Sequence, residues 1–80
     1  MSDTVKADVV LDLKGLLCPM PVVKLQLAAK KLQAGQIVEG VATDPGVMAD
    51  IPAWARTSGN EVIKMQREGK VVRFFVRRVK

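Results

Sequence analysis

The chain contains no histidine, no tyrosine and only one cysteine. Without histidine the commonest metal ligand is missing, and so is the base that a Cys–His nucleophile pair requires. A single cysteine excludes an internal disulfide, a Cys-x-x-Cys redox pair and a zinc finger within one chain. Aromatic residues make up 4% of the chain, whereas a sheet that stacks nucleic-acid bases needs two or three exposed rings. No apolar run approaches membrane-spanning length, and Met1 to Ala7 lacks the apolar stretch of a signal peptide. The expectation is a cytoplasmic protein whose free thiol stays reduced, with no metal, no cofactor and no membrane partner.

What remains is a basic, apolar chain of 80 residues, 49% hydrophobic, with a net charge of +5. That length suits one domain, 1–80, near the lower limit for a single core without staples, with 1–5 as a flexible tail. The positive balance suggests acidic partners, protein or nucleic acid. It is concentrated late: Lys64, Arg67, Lys70, Arg73, Arg77, Arg78 and Lys80 stand against Glu68. On a strand, such charge is ordinarily a solvated face.

Periodicity orders the elements. "KADVVLDL", residues 6 to 13, alternates, with Ala7, Val9, Leu11 and Leu13 on one side. From Pro19 to Ala34 the period becomes helical: Val22, Leu25, Ala29 and Leu32 form a stripe, and Gly35 is placed to cap it. Lys30 and Lys31 suit the negative end of that helix. In "QIVEGVA" the small inward residues Val38, Gly40 and Ala42 let a helix approach closely. "TDPG" turns the chain, with Asp44 able to accept backbone N–H bonds. A second helix ends near Ser58 with Gly59 as its stop; Val47, Ile51, Trp54 and Ala55 mark its buried face, and Pro52 leaves its start undefined. "NEVIKMQR" and "KVVRFFVRRV" flank a tight "EG" turn as a hairpin. The order βαβαββ, with a right-handed first crossover, predicts an α/β (α+β) two-layer sandwich: a mixed four-stranded sheet with two helices on one face.

The cysteine sits in "GLLCPMPVVK". Proline suits the first turn of a helix because it lacks the N–H that the turn leaves unpaired. Pro19 and Pro21 therefore place Cys18 at the N-cap or beside it. There the helix end favours a thiolate and predicts a lowered thiol pKa, with Lys14 and Lys24 close enough in sequence to add positive potential. The competing reading is that Cys18 is a small buried apolar residue, as unpaired cysteines commonly are. A thiol with no histidine base and no resolving partner fits a group carrier, which accepts a group from one protein and yields it to another.

The stretch "LDLKGLLCPMPVVK" resembles the signature of the TusA-like (SirA/YedF-type) sulfur-carrier family, in which Cys-Pro-x-Pro follows a Gly-Leu-x loop. "TDPGVMADIPAWARTSGNEV" is similar to the family's Asp-Pro turn, Asp-Ile-Pro helix start and Gly-x-Glu entry to the third strand. The likeness spans about residues 9 to 80. It implies that Cys18 is the catalytic, persulfide-bearing nucleophile, and that Gly15, Pro19 and Pro21 shape the helix mouth that presents it. It implies a donor, a cysteine desulfurase or a rhodanese, and an acceptor protein, DsrE-like or similar. The implied destinations are tRNA thiolation, molybdenum-cofactor supply or sulfur oxidation. Two departures concern the subgroup: Ala55 follows Trp54 where some members carry a second cysteine, and Asn60 stands where many carry histidine.

Met20, between the two prolines, is a candidate partner contact; Lys24, Arg73 and Arg77 are candidates for docking acidic surfaces. Met48 and Met65 read more simply as core filler. A monomer is expected, since a relay cysteine has to meet several partners. The rival reading is a small basic nucleic-acid-binding or regulatory interaction domain with a structural cysteine, using the Arg-rich last strand on phosphates, with Phe75 as its one candidate stacking ring.

Overall fold

The structure is a computed structural model, and it describes residues 6–79. The expected tail over 1–5 lies outside the described residues. The elements are β1 (Val9–Leu13), α1 (Met20–Lys30), β2 (Ile37–Ala42), α2 (Val47–Ser58), β3 (Glu61–Glu68) and β4 (Val71–Arg77). The strands form one sheet in the order β1-β2-β4-β3. β1 and β2 are parallel across the α1 crossover, and the other two pairings are antiparallel. The fold is therefore the expected mixed α+β sandwich.

One core lies between the helices and the sheet. Leu25 of α1 and Val47 and Ile51 of α2 pack with Val38, Ala42, Val72, Phe74 and Val76 of the central strands. Because side chains alternate across a strand, Val38, Gly40 and Ala42 on β2 share this face with Val72, Phe74 and Val76 on β4. Gly40 lies directly opposite Phe74. A Cβ at Gly40 would fall 2.2 Å from the Phe74 ring, so the ring occupies the space that any side chain there would need. Burying such a ring contributes about 1.5–3 kcal/mol.

The boundaries depart from the sequence reading in physically instructive ways. Lys6 to Asp8 lie outside β1, although Asp8 still closes the pairing: its N–H donates to the Ile37 carbonyl (2.7 Å) and its carboxylate accepts the Ile37 N–H (2.8 Å). α1 stops at Lys30 rather than Ala34, and Gly35 does not cap it. Leu32 is buried beyond the helix end. The carbonyls of Ala29, Lys30 and Leu32 are bound instead by the Arg78 guanidinium, from the chain segment after β4. Arg78 thus joins Lys30 as a cation at the negative helix end. α2 begins at Val47 and runs through Pro52. Gly59, at φ +81°, ends it as expected. The hairpin turns at Gly69 and Lys70, with Gly69 at φ +62°, one position later than the sequence suggested.

The other sheet face has no helix over it. Its long polar side chains cross-link the strands through Arg73–Glu39 and Arg77–Glu61 ion pairs. Between them Phe75 is only 8% exposed, flanked across the strands by Glu39 and Lys64. It offers no open ring for stacking bases. Among the described residues no helix is long and apolar enough to cross a membrane.

Candidate functional site

β1 and β2 run parallel, and Leu13 at the end of one is paired with Ala42 at the end of the other. The loops that follow them therefore leave the sheet side by side, the position where open α/β sheets hold their sites. Two hydrogen bonds join the loops: the Gly15 N–H donates to Thr43 Oγ1 (2.9 Å), and the Cys18 N–H donates to Asp44 Oδ2 (2.8 Å). Gly15 has φ +83°, a conformation that side chains resist, while the space around its Cα is open. The backbone turn, rather than crowding, calls for glycine here.

Asp44 is shared between two backbones. Its second oxygen accepts the Gly46 N–H at 3.1 Å and shapes the turn into α2. That turn sets the direction of α2, whose first turn carries Asp50. Asp50 Oδ2 lies 3.2 Å from Cys18 Sγ, within reach of a thiol S–H donor. Cys18 itself is exposed and unpaired. The site is thus a thiol held between two carboxylates, one on its own N–H and one on its sulfur.

This corrects the expectation of a lowered thiol pKa. The Asp50 hydrogen bond holds the Cys18 thiol above its ordinary value, aided by desolvation and by the negative charges of Asp50 and Asp44. The reason lies in the helix opening. Pro19 is the N-cap of α1 and Cys18 precedes it across a cis peptide bond. Pro19 and Pro21 have no N–H, and that of Met20 is directed at the Leu17 carbonyl (2.9 Å). Few N–H groups are left to stabilise a sulfur anion, while two carboxylates stand beside it. Those carboxylates, rather than Lys14 or Lys24, are the charges that bear on the thiol.

A family model described as sulfurtransferase TusA matches residues 9–78, covering every strand and helix. The chain belongs to the TusA family. Among relatives, YrkF of Bacillus subtilis (strain 168) is 48% identical over 73 residues, but the chain spans only 40% of YrkF's length. The sulfur carrier protein TusA of Allochromatium vinosum is 34% identical over 68 residues, which cover 85% of this chain and 90% of that one. The crystal structure of a SirA-like protein from Desulfitobacterium hafniense superposes with a TM-score of 0.78 over 90% of this chain and 99% of that chain. At 19% identity it supports the fold.

In this TusA-family chain the sequence-derived candidates fall in different places. Gly15, Cys18, Pro19, Met20 and Pro21 gather at the strand ends. Pro21 is buried, and Met20 is 41% exposed beside the thiol. Lys24 is exposed one turn further along α1. Arg73 and Arg77 lie elsewhere, engaged in ion pairs on the helix-free face. Arg77 is opposite Ile37 at the start of β2, roughly 17 Å of strand from its thiol-proximal end. Met65 packs against the core, whereas Met48 is 38% exposed. The residue missed in the sequence was Asp50. Its available signal was the pairing of Asp44 and Asp50 across a turn, with only the second on the helix. Among the described residues, no cluster of three or more His, Cys, Asp or Glu is arranged to hold a metal ion.

Proposed function

We propose that this protein is a sulfur carrier that accepts sulfur on Cys18 as a persulfide and relays it to a protein cysteine. The observation that carries the reading is the exposed thiol, fixed by its backbone at the junction of two loops and open to a second protein. Membership of the TusA family supports it, as does the sulfur-carrier name of the A. vinosum relative. The chemistry is balanced without a redox partner. Cys18 attacks the outer sulfur of a donor persulfide, R–S–SH; a new S–S bond forms, the donor S–S bond breaks, and Cys18–S–SH and R–SH result. Passing the sulfur on repeats the same exchange with Cys18 as the leaving thiol.

The donor in this reading is a cysteine desulfurase or a rhodanese, and the acceptor a DsrE-like or similar protein, in the cytoplasm. The destination is tRNA thiolation, molybdenum-cofactor supply or sulfur oxidation. Met20 and Lys24 supply contacts for both partners, since Met20 is exposed two residues after the thiol and Lys24 is exposed one turn further along α1. The nucleic-acid reading has less support: Phe75 is covered, and Arg73 and Arg77 are paired with carboxylates.

The test is intact-protein mass spectrometry after incubation with a cysteine desulfurase and cysteine, and separately with a rhodanese and thiosulfate. The expected result is a gain of one sulfur atom from at least one donor, reversed by reductant and absent in Cys18→Ser. No gain from either donor would count against the reading.

A further inference from the structure

Sulfur exchange at Cys18 has a proton to dispose of. The attacking sulfur begins as S–H and ends in an S–S bond, where a retained proton would be extremely acidic. During the step the proton's acidity therefore crosses that of a carboxylic acid. A carboxylate already bonded to that proton is suited to take it in the transition state. The chain has no histidine, so the usual base is missing. Asp50 Oδ2, at 3.2 Å from Sγ, stands where that base would stand.

We propose that Asp50 is a catalytic residue of the relay: its carboxylate accepts the Cys18 proton as the sulfur attacks, then returns it to the departing donor thiolate. This rests on the sulfur-carrier reading. The atoms balance, since the proton leaves Cys18, resides on Asp50 and ends on R–S⁻, while the outer sulfur moves to Cys18 with no net oxidation. Asp44 does not share the role. Its oxygens are committed to the Cys18 and Gly46 N–H groups, and it holds the loop that aims the sulfur. Among the described residues these two carboxylates are the charged groups that bear on the thiol, Asp50 from α2 and Asp44 from the loop before it; the first turn of α1 carries no acid.

The arrangement also accounts for how a thiol held protonated at neutral pH still reacts. With Asp50 as acceptor, attack needs Asp50 ionised but needs no free thiolate. Without it, the rate depends on the thiolate fraction, which rises tenfold per pH unit below the thiol pKa.

The experiment measures sulfur uptake from glutathione persulfide by the full chain and by Asp50→Asn, from pH 5.5 to 8.5, read by intact mass. The ratio of the two rates cancels the probe's own ionisation. The expected result is a parent chain at least about tenfold faster than Asp50→Asn near pH 6, with the ratio falling steadily as pH rises. Asp50→Glu, which keeps the carboxylate, is expected to retain the parent profile at reduced rate. A ratio that is constant with pH, or a variant faster at every pH, would overturn the proposal. Circular dichroism melting of both variants checks that they fold; Asp50 is at the surface edge of α2, outside the core. If the parent chain takes up no sulfur, the sulfur-carrier reading fails; if it takes up sulfur and Asp50→Asn matches its profile, only the role of Asp50 fails.

Discussion

At the scale of single residues, the environment of Cys18 is set by its neighbours in space more than by its position on a helix. The sequence led to a thiol beside a helix opening and left its exposure undecided between a presented and a buried cysteine; the structure places it exposed. The sequence misjudged the sign of the electrostatics, because the prolines that make the opening recognisable also remove its N–H groups. Asp50 was legible as a helix-start acid but not as a thiol partner, since 32 residues separate it from Cys18. The carboxylates give a definite titration. A thiol pKa raised above its usual value means that the thiolate appears only at more alkaline pH than for a free cysteine. The pH profile of iodoacetamide modification is therefore expected to have its midpoint at more alkaline pH in the parent chain than in a free cysteine. Asp50→Asn removes both the hydrogen-bond acceptor and the nearer charge, so its midpoint is expected to move downward. An unchanged midpoint would mean that the carboxylate does not bear on the sulfur in solution.

Individual elements are held by contacts the sequence pattern only partly announces. The alternation of Val38, Gly40 and Ala42 was readable and correctly assigned to the inner face. That Gly40 is opposite Phe74, and leaves room for its ring, follows from the register of β2 against β4. Gly40→Ala must displace a fully buried ring, and overpacking of this kind costs about 1–3 kcal/mol. Chemical denaturation should show that loss with an unchanged m-value; no loss would mean that the ring moves freely. The end of α1 was misplaced for a related reason. Its apolar stripe continues through Leu32, but the helix stops where Arg78 binds the carbonyls of Ala29, Lys30 and Leu32. A cation from 48 residues away is invisible to local periodicity. Arg78→Met keeps the aliphatic stem and removes the donors, and is expected to cost about 1.5–3 kcal/mol in the same assay.

For the whole molecule, the net charge of +5 hides an uneven distribution. The helix-free face carries arginines already paired with Glu39 and Glu61, while the thiol end carries Asp44 and Asp50. A pair exposed on both sides, as Arg77–Glu61 is, contributes about 0–1 kcal/mol. Arg77→Ala, which breaks the pair exposed on both sides, is expected to change stability by less than about 1 kcal/mol. Arg73→Ala and Arg77→Ala are both expected to leave sulfur loading within about twofold of the parent, whereas Lys24→Glu, on the exposed side of α1 one turn beyond Met20, is expected to weaken it by reversing a charge at the proposed contact. Loading that falls equally in all three would shift the docking surface onto the sheet. The element order and the single core were legible throughout, because burial on one face imposes period two on strands and a helical period on the segments above them. The convergence of the two loops was not, because it depends on β1 and β2 lying side by side.

The most direct test of the account is the full relay in one experiment. The chain is loaded with radiolabelled sulfur, freed of donor, and mixed with a DsrE-type acceptor in the absence of reductant. The account predicts that label moves to the acceptor's cysteine and that the carrier returns to its unloaded mass, with no transfer from Cys18→Ser. Label that stays on the carrier, or leaves only as sulfide when reductant is added, would contradict it.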